Sequence, residues 1–114
     1  MSAITTHVLD TVLGKPAAGV SVRLDRLKLD SLKAGRWTHM SHSITDADGR
    51  CGDLAANAPP ATYRLTFDTS AYLARLGRTT IYPEITIVFH CTSEPHYHMP
   101  LLLSDNSYTT YRGS

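Results

Sequence analysis

With 114 residues, the chain is long enough for one modest core. Its 42% hydrophobic and 18% charged residues are ordinary globular proportions, which argues against a disordered chain. With 11 basic against 10 acidic residues the net charge is +1, so no broad field attracts nucleic acid or a membrane surface. No apolar run approaches the roughly 20 residues of a membrane span.

In chain order, the N-terminus has neither a basic start nor an apolar signal core, so a cytoplasmic location is expected. Cys51 and Cys91 make no disulfide framework and are expected to be thiols. Thr5–Leu9 is rich in β-branched residues and predicts a strand on which His7 points opposite Ile4 and Val8. After the turn Gly14-Lys15-Pro16, Val20–Leu24 alternates apolar and polar residues, with Val20, Val22 and Leu24 inward. Asp46-Ala47-Asp48-Gly49 reads as a turn and delivers Arg50 directly after it. Tyr63–Phe67 and Ile85–Phe89 are further alternating strands. Between them a short helix is predicted. Asp68 or Thr69 caps it, Tyr72, Leu73 and Leu76 form its stripe, and Gly77 stops it. His96–Leu103 predicts a strand with Tyr97, Met99, Leu101 and Leu103 toward the core. His96, His98, Pro100 and Leu102 then face away, and Pro100 suggests a strand edge or bulge. Tyr108–Arg112 is a last strand. Many short strands and one helix predict an all-β sandwich, with residues 1–114 forming a single domain.

The two outward imidazoles admit three readings. They are solvated surface groups, or part of a metal site completed by His90 and Cys91, or acid–base groups, since imidazole titrates near neutral pH. Spacing alone does not choose among them.

Three blocks narrow the choice. Thr5-Thr6-His7-Val8-Leu9-Asp10-Thr11 is followed by Gly14-Lys15-Pro16-Ala17-Ala18-Gly19-Val20. Thr45-Asp46-Ala47-Asp48-Gly49-Arg50 comes next. Tyr82-Pro83-Glu84 leads through His96-Tyr97-His98-Met99-Pro100-Leu101-Leu102-Leu103 to Tyr111-Arg112-Gly113-Ser114. Together they resemble the transthyretin-related proteins across essentially the whole chain, and the tail resembles the hydrolase branch. The segment from Arg26 through Ser43 is only loosely similar.

The resemblance implies a prealbumin-like sandwich of two antiparallel sheets, about four strands each, with one short helix. It also implies a homotetramer with sites in a channel between dimers. The activity implied is hydrolysis of 5-hydroxyisourate to 2-oxo-4-hydroxy-4-carboxy-5-ureidoimidazoline, the opening of a cyclic amide in urate degradation, with no cofactor and no metal. The family's catalytic residues fall on His7, Arg50 and His98, and its tail on Tyr111, Arg112 and Ser114 as substrate-binding residues. In such a site a neutral imidazole takes a proton from water, and the arginine stabilises substrate and oxyanion. Asp46, Cys51 and Cys91 depart from the family pattern and are expected away from the site. Two rivals remain: a carrier of a small aromatic ligand, and a zinc module using His90, His96 and His98.

Overall fold

The computed structural model describes residues 1–114. Nine strands and one helix follow one another as β1 (Ser2–Asp10), β2 (Lys15–Pro16), β3 (Ser21–Leu29), β4 (Gly35–Ile44), β5 (Arg50–Ala58), β6 (Ala61–Phe67), α1 (Thr69–Arg75), β7 (Ile85–Cys91), β8 (His96–Leu103) and β9 (Tyr108–Thr110). No helix is long and apolar enough to cross a membrane.

The strands form a sandwich. One sheet runs β4-β3-β6-β7, antiparallel throughout. The other runs β2-β1-β8-β9, with β5 also paired to β1. Most of its ladders are antiparallel, but β1 and β8 run parallel from Ala3↔His96 to Asp10↔Leu103. A parallel pair needs a long crossover, and nearly the whole chain lies between these two strands.

Period-2 alternation places the core as expected. On β1, Ile4 and Val8 are fully buried, while Ala3, Thr5, His7 and Leu9 face the other way. Val22, Leu24, Tyr63, Leu65 and Phe67 meet them from the opposite sheet, with Tyr97, Met99, Leu101 and Leu103 of β8 alongside. Each such large side chain contributes roughly 1.5–3 kcal/mol on full burial. Phe89 is only half-buried because β7 is a sheet edge, yet it packs on Tyr63 and Tyr97, with ring centroids 6.2 and 6.3 Å away.

The helix departs from the expected stripe. Thr69, Tyr72 and Leu73 are buried, but α1 ends at Arg75 and Leu76 is 48% exposed, so its side chain has left the apolar face. Asp68 occupies the cap position without a side-chain hydrogen bond. Gly77 follows at φ +70°.

Pro100 is not on an edge strand, since β8 is flanked by β1 and β9. The ladder to the tail is instead interrupted beside it. β9 pairs Leu101↔Thr110, stops, and the tail returns only at the His98↔Gly113 bridge. Proline has no N–H to give at that point, so the break costs no ladder bond. Its carbonyl accepts from the Thr110 hydroxyl at 2.8 Å.

Candidate active site

The outer face of the mixed sheet assembles the polar residues by register. His7 of β1 lies opposite Arg50 of β5 and beside Pro100 of β8, and Thr5 lies beside His98. Same-face neighbours on adjacent strands are within side-chain reach, so three distant segments converge. The rings of His7 and His98 are 6.5 Å apart, centroid to centroid.

Arg50 owes its place to the preceding turn. Asp46 Oδ1 accepts from the backbone N–H of Asp48 at 2.9 Å and of Arg50 at 3.0 Å. Those hydrogen bonds, the Arg50 one first, hold the Asp46 carboxyl below its usual range, aided by the nearby Arg50 and His7 charges. Gly49 sits at φ +75°, and an added Cβ would meet the Val8 carbonyl oxygen at 2.4 Å. Only glycine closes this turn against β1. Asp46 was expected away from the site; it shapes the strand entrance that carries Arg50.

A cavity of about 250 Å³ opens on this face, lined by Thr5, Thr6, Arg50, Cys51, Gly52, His96, His98 and Ser114. That is room for one small molecule. A larger hollow of about 630 Å³ lies elsewhere, between β3, β6 and β7, and holds none of the predicted catalytic or tail residues. The larger hollow carries Arg26, Lys28 and His90, but only the smaller cavity brings two histidines, Arg50 and the tail residue Ser114 together.

Of the predicted residues, Arg50, His98 and Ser114 line the cavity, and His7 stands beside it. Tyr111, 52% exposed, and Arg112 are not among the lining residues. Arg112 instead lies over the Tyr97 ring, 4.9 Å from its centroid, and reaches the His96 carbonyl at 3.4 Å. Gly113 donates its N–H to the His98 carbonyl at 2.8 Å, so the tail is stitched to the strand that carries the histidine. A Cβ on Gly113 would lie 2.6 Å from His98 Cδ2, so the tail backbone packs directly on that ring.

Cys51 is a correction to the expectation that it lies elsewhere. It follows Arg50 on β5, opposite Thr6, and lines the cavity while only 2% exposed. Burial pushes its thiol up, so it stays protonated and acts as packing. Thr5 and Thr6 went unassigned in the sequence, and His96 was named only with His98 as an outward histidine and as a rival zinc ligand. Period-2 alternation had put His96 on the correct face, but only the parallel register reveals Thr5 as its neighbour. Thr5 Oγ1 lies 2.8 Å from both His96 Nε2 and His98 Nδ1.

Electrostatics favour a neutral His98. Burial lowers its pKa from the ordinary value of 6.5, and His96, Arg50 and His7 push the same way. A neutral, half-buried imidazole beside a permanently cationic guanidinium is suited to taking a proton from water while oxyanion charge develops nearby. His90 is on β7, in the other sheet, so the suggested His90, His96, His98 zinc set is not assembled. No group of three or more His, Cys, Asp or Glu comes together to hold a metal ion.

Residues 4–113 match the HIUase/Transthyretin family. A 5-hydroxyisourate hydrolase of Mus musculus is 46% identical over 116 residues, covering 99% of this chain and 96% of its own. The structure of Klebsiella pneumoniae 5-hydroxyisourate hydrolase superposes with TM-score 0.86 at 36% identity, covering all of both chains. Sea bream transthyretin in complex with thyroxine superposes with TM-score 0.90 at 34% identity, covering 97% of this chain and 94% of that one. Backbone likeness therefore does not separate the hydrolase from the thyroxine-bound transthyretin, and the site residues must.

Proposed function

The chain belongs to the HIUase/Transthyretin family, and from that membership we propose that it is a 5-hydroxyisourate hydrolase acting in urate degradation. Residues 1–114 act as one hydrolase domain. The observation that carries the choice over a carrier is the meeting of Arg50, His98 and Ser114 at one cavity, with His7 beside it. A site for a hydrophobic hormone has no need of a base and a guanidinium.

Water is a poor nucleophile at neutral pH and requires a base. His98 takes its proton as the oxygen attacks the ring carbonyl. Arg50 holds the substrate edge and the oxyanion. His7 is the second acid–base or orienting group. When the ring C–N bond breaks, the departing nitrogen takes a proton from the imidazolium. Ser114 contacts the substrate, and Arg112 orders the tail through Tyr97. Tyr111 reaches substrate only where a neighbouring subunit covers it. The working form is a homotetramer whose channel shields the cavity from water.

The decisive variant is His98→Ala. Turnover, followed as loss of ultraviolet absorbance from freshly made substrate, is expected to fall by about two powers of ten or more, with the fold retained. Near-normal turnover by the folded variant overturns the assignment. Displacement of bound thyroid hormone, without ring opening by the unaltered protein, would favour the carrier instead.

A further inference from the structure

Thr5 Oγ1 stands between two imidazoles, 2.8 Å from His96 Nε2 and 2.8 Å from His98 Nδ1. The register builds this bridge, since Thr5 pairs with His98 and His96 precedes it on the same face of β8. The two rings are 6.0 Å apart, centroid to centroid, with the hydroxyl as their link. A hydroxyl has one proton to donate. It cannot donate to both rings, so at least one of the two imidazoles must present an N–H to it. If Thr5 gives its proton to His96 Nε2, it accepts from His98 Nδ1–H. His98 Nε2 is then a bare lone pair, and no other side chain of the chain bonds to it. The reverse arrangement puts an N–H on His98 Nε2, in a cavity that already holds the Arg50 cation. The cation favours the lone pair.

We propose that Thr5 and His96 are positioning residues that hold His98 in the tautomer with Nε2 free to act as the base. The role rests on the hydrolase reading. In the step, the water oxygen bonds to the ring carbonyl carbon and its proton goes to His98 Nε2. The ring C–N bond then breaks, and the leaving nitrogen takes that proton back. Nδ1–H remains on Thr5 throughout, the part a carboxylate plays in a hydrolytic triad. The charged and titratable groups around Thr5 and His96 include His98, His7, Arg50, Cys51 and Arg112.

The test is the ring-nitrogen NMR spectrum of the full chain without substrate, at a pH where His98 is neutral. The expected wild-type state is the Nδ1–H tautomer. Thr5→Val, and separately His96→Phe, are expected to shift His98 toward Nε2–H and lower kcat about a hundred-fold at nearly unchanged KM, the consequence of a wrong tautomer. Thr5→Ser keeps the hydroxyl and should retain both tautomer and kcat. An Nε2–H wild type, or a folded Thr5→Val with unchanged tautomer and kcat, overturns the positioning role. A wild-type protein that opens no 5-hydroxyisourate ring overturns the hydrolase reading itself, and the catalytic role of Thr5 and His96 with it, whatever the tautomer.

Discussion

At the scale of single residues, His98 decides the chemistry through what surrounds it. Its burial, with His96, Arg50 and His7 facing it, keeps it neutral below the ordinary 6.5. A base with a lowered pKa works above that pKa and fails as pH falls through it. The acid limb of kcat/KM is therefore expected below pH 6.5, and a limb above that value contradicts the assignment. The same shift affects stability in the same sense. The unfolded chain binds a proton at His98 more readily, so stability declines as pH falls from the ordinary value through the lowered one. His7, Arg50, His98 and Ser114 were legible as candidates because their residue types and neighbours carried a family pattern. Thr5 was not, since a threonine in a β-branched strand is ordinary until the partner strand is known.

At the scale of elements, the tail and the first strand do the positioning. Gly113 leaves no room for a Cβ against His98, whose ring is tethered by Thr5 and cannot swing clear. Gly113→Ala is expected to displace the imidazole and lower kcat by about a hundred-fold, with the unfolding midpoint little changed. Loss of stability without a separate loss in kcat would mean that the glycine serves folding alone. At the end of β1, Asp10 is buried and accepts from Tyr72 Oη at 2.8 Å, from the N–H groups of Val12 and Leu13, and from Arg78, which also binds Asp105. This network ties β1 to α1 and to the turn after β8. Burial alone would raise the Asp10 pKa, but Arg78, Leu13 and Tyr72 outweigh it and hold the carboxyl below 3.8, while the Tyr72 phenol is pushed up to about 12. Its stabilising contribution is thus complete above the ordinary carboxylate value and is lost as pH falls through the lowered one. Asp10→Asn leaves Arg78 with Asp105 as its remaining carboxylate partner and is expected to cost about 2 kcal/mol at neutral pH. The cost should shrink in acid, as read from denaturant midpoints across pH. No motif announced this network, because Asp10, the Tyr72–Arg78 stretch and Asp105 come from three separate segments of the sequence.

At the scale of the whole molecule, the proposed homotetramer predicts a particle of about four times 12.5 kDa by light scattering. It also predicts specific activity that falls on dilution if the channel completes the site. A monomer with full activity would leave the cavity of the single chain sufficient. The all-β character, the strand faces, the inward set of β3, β6 and β8 and the outward pair His96 and His98 were all determined by the sequence. They follow from local rules, alternation with period 2 and turn chemistry, which any stretch carries within itself. What only the tertiary structure decided is which strands lie side by side. The parallel docking of β1 on β8, which puts Thr5 between two histidines, joins residues more than ninety positions apart. The return of Gly113 onto His98 across the ladder gap at Pro100 is a second pairing of this kind, over a short separation. Register is set by how two buried faces fit, a property of pairs of strands that neither strand's sequence contains alone.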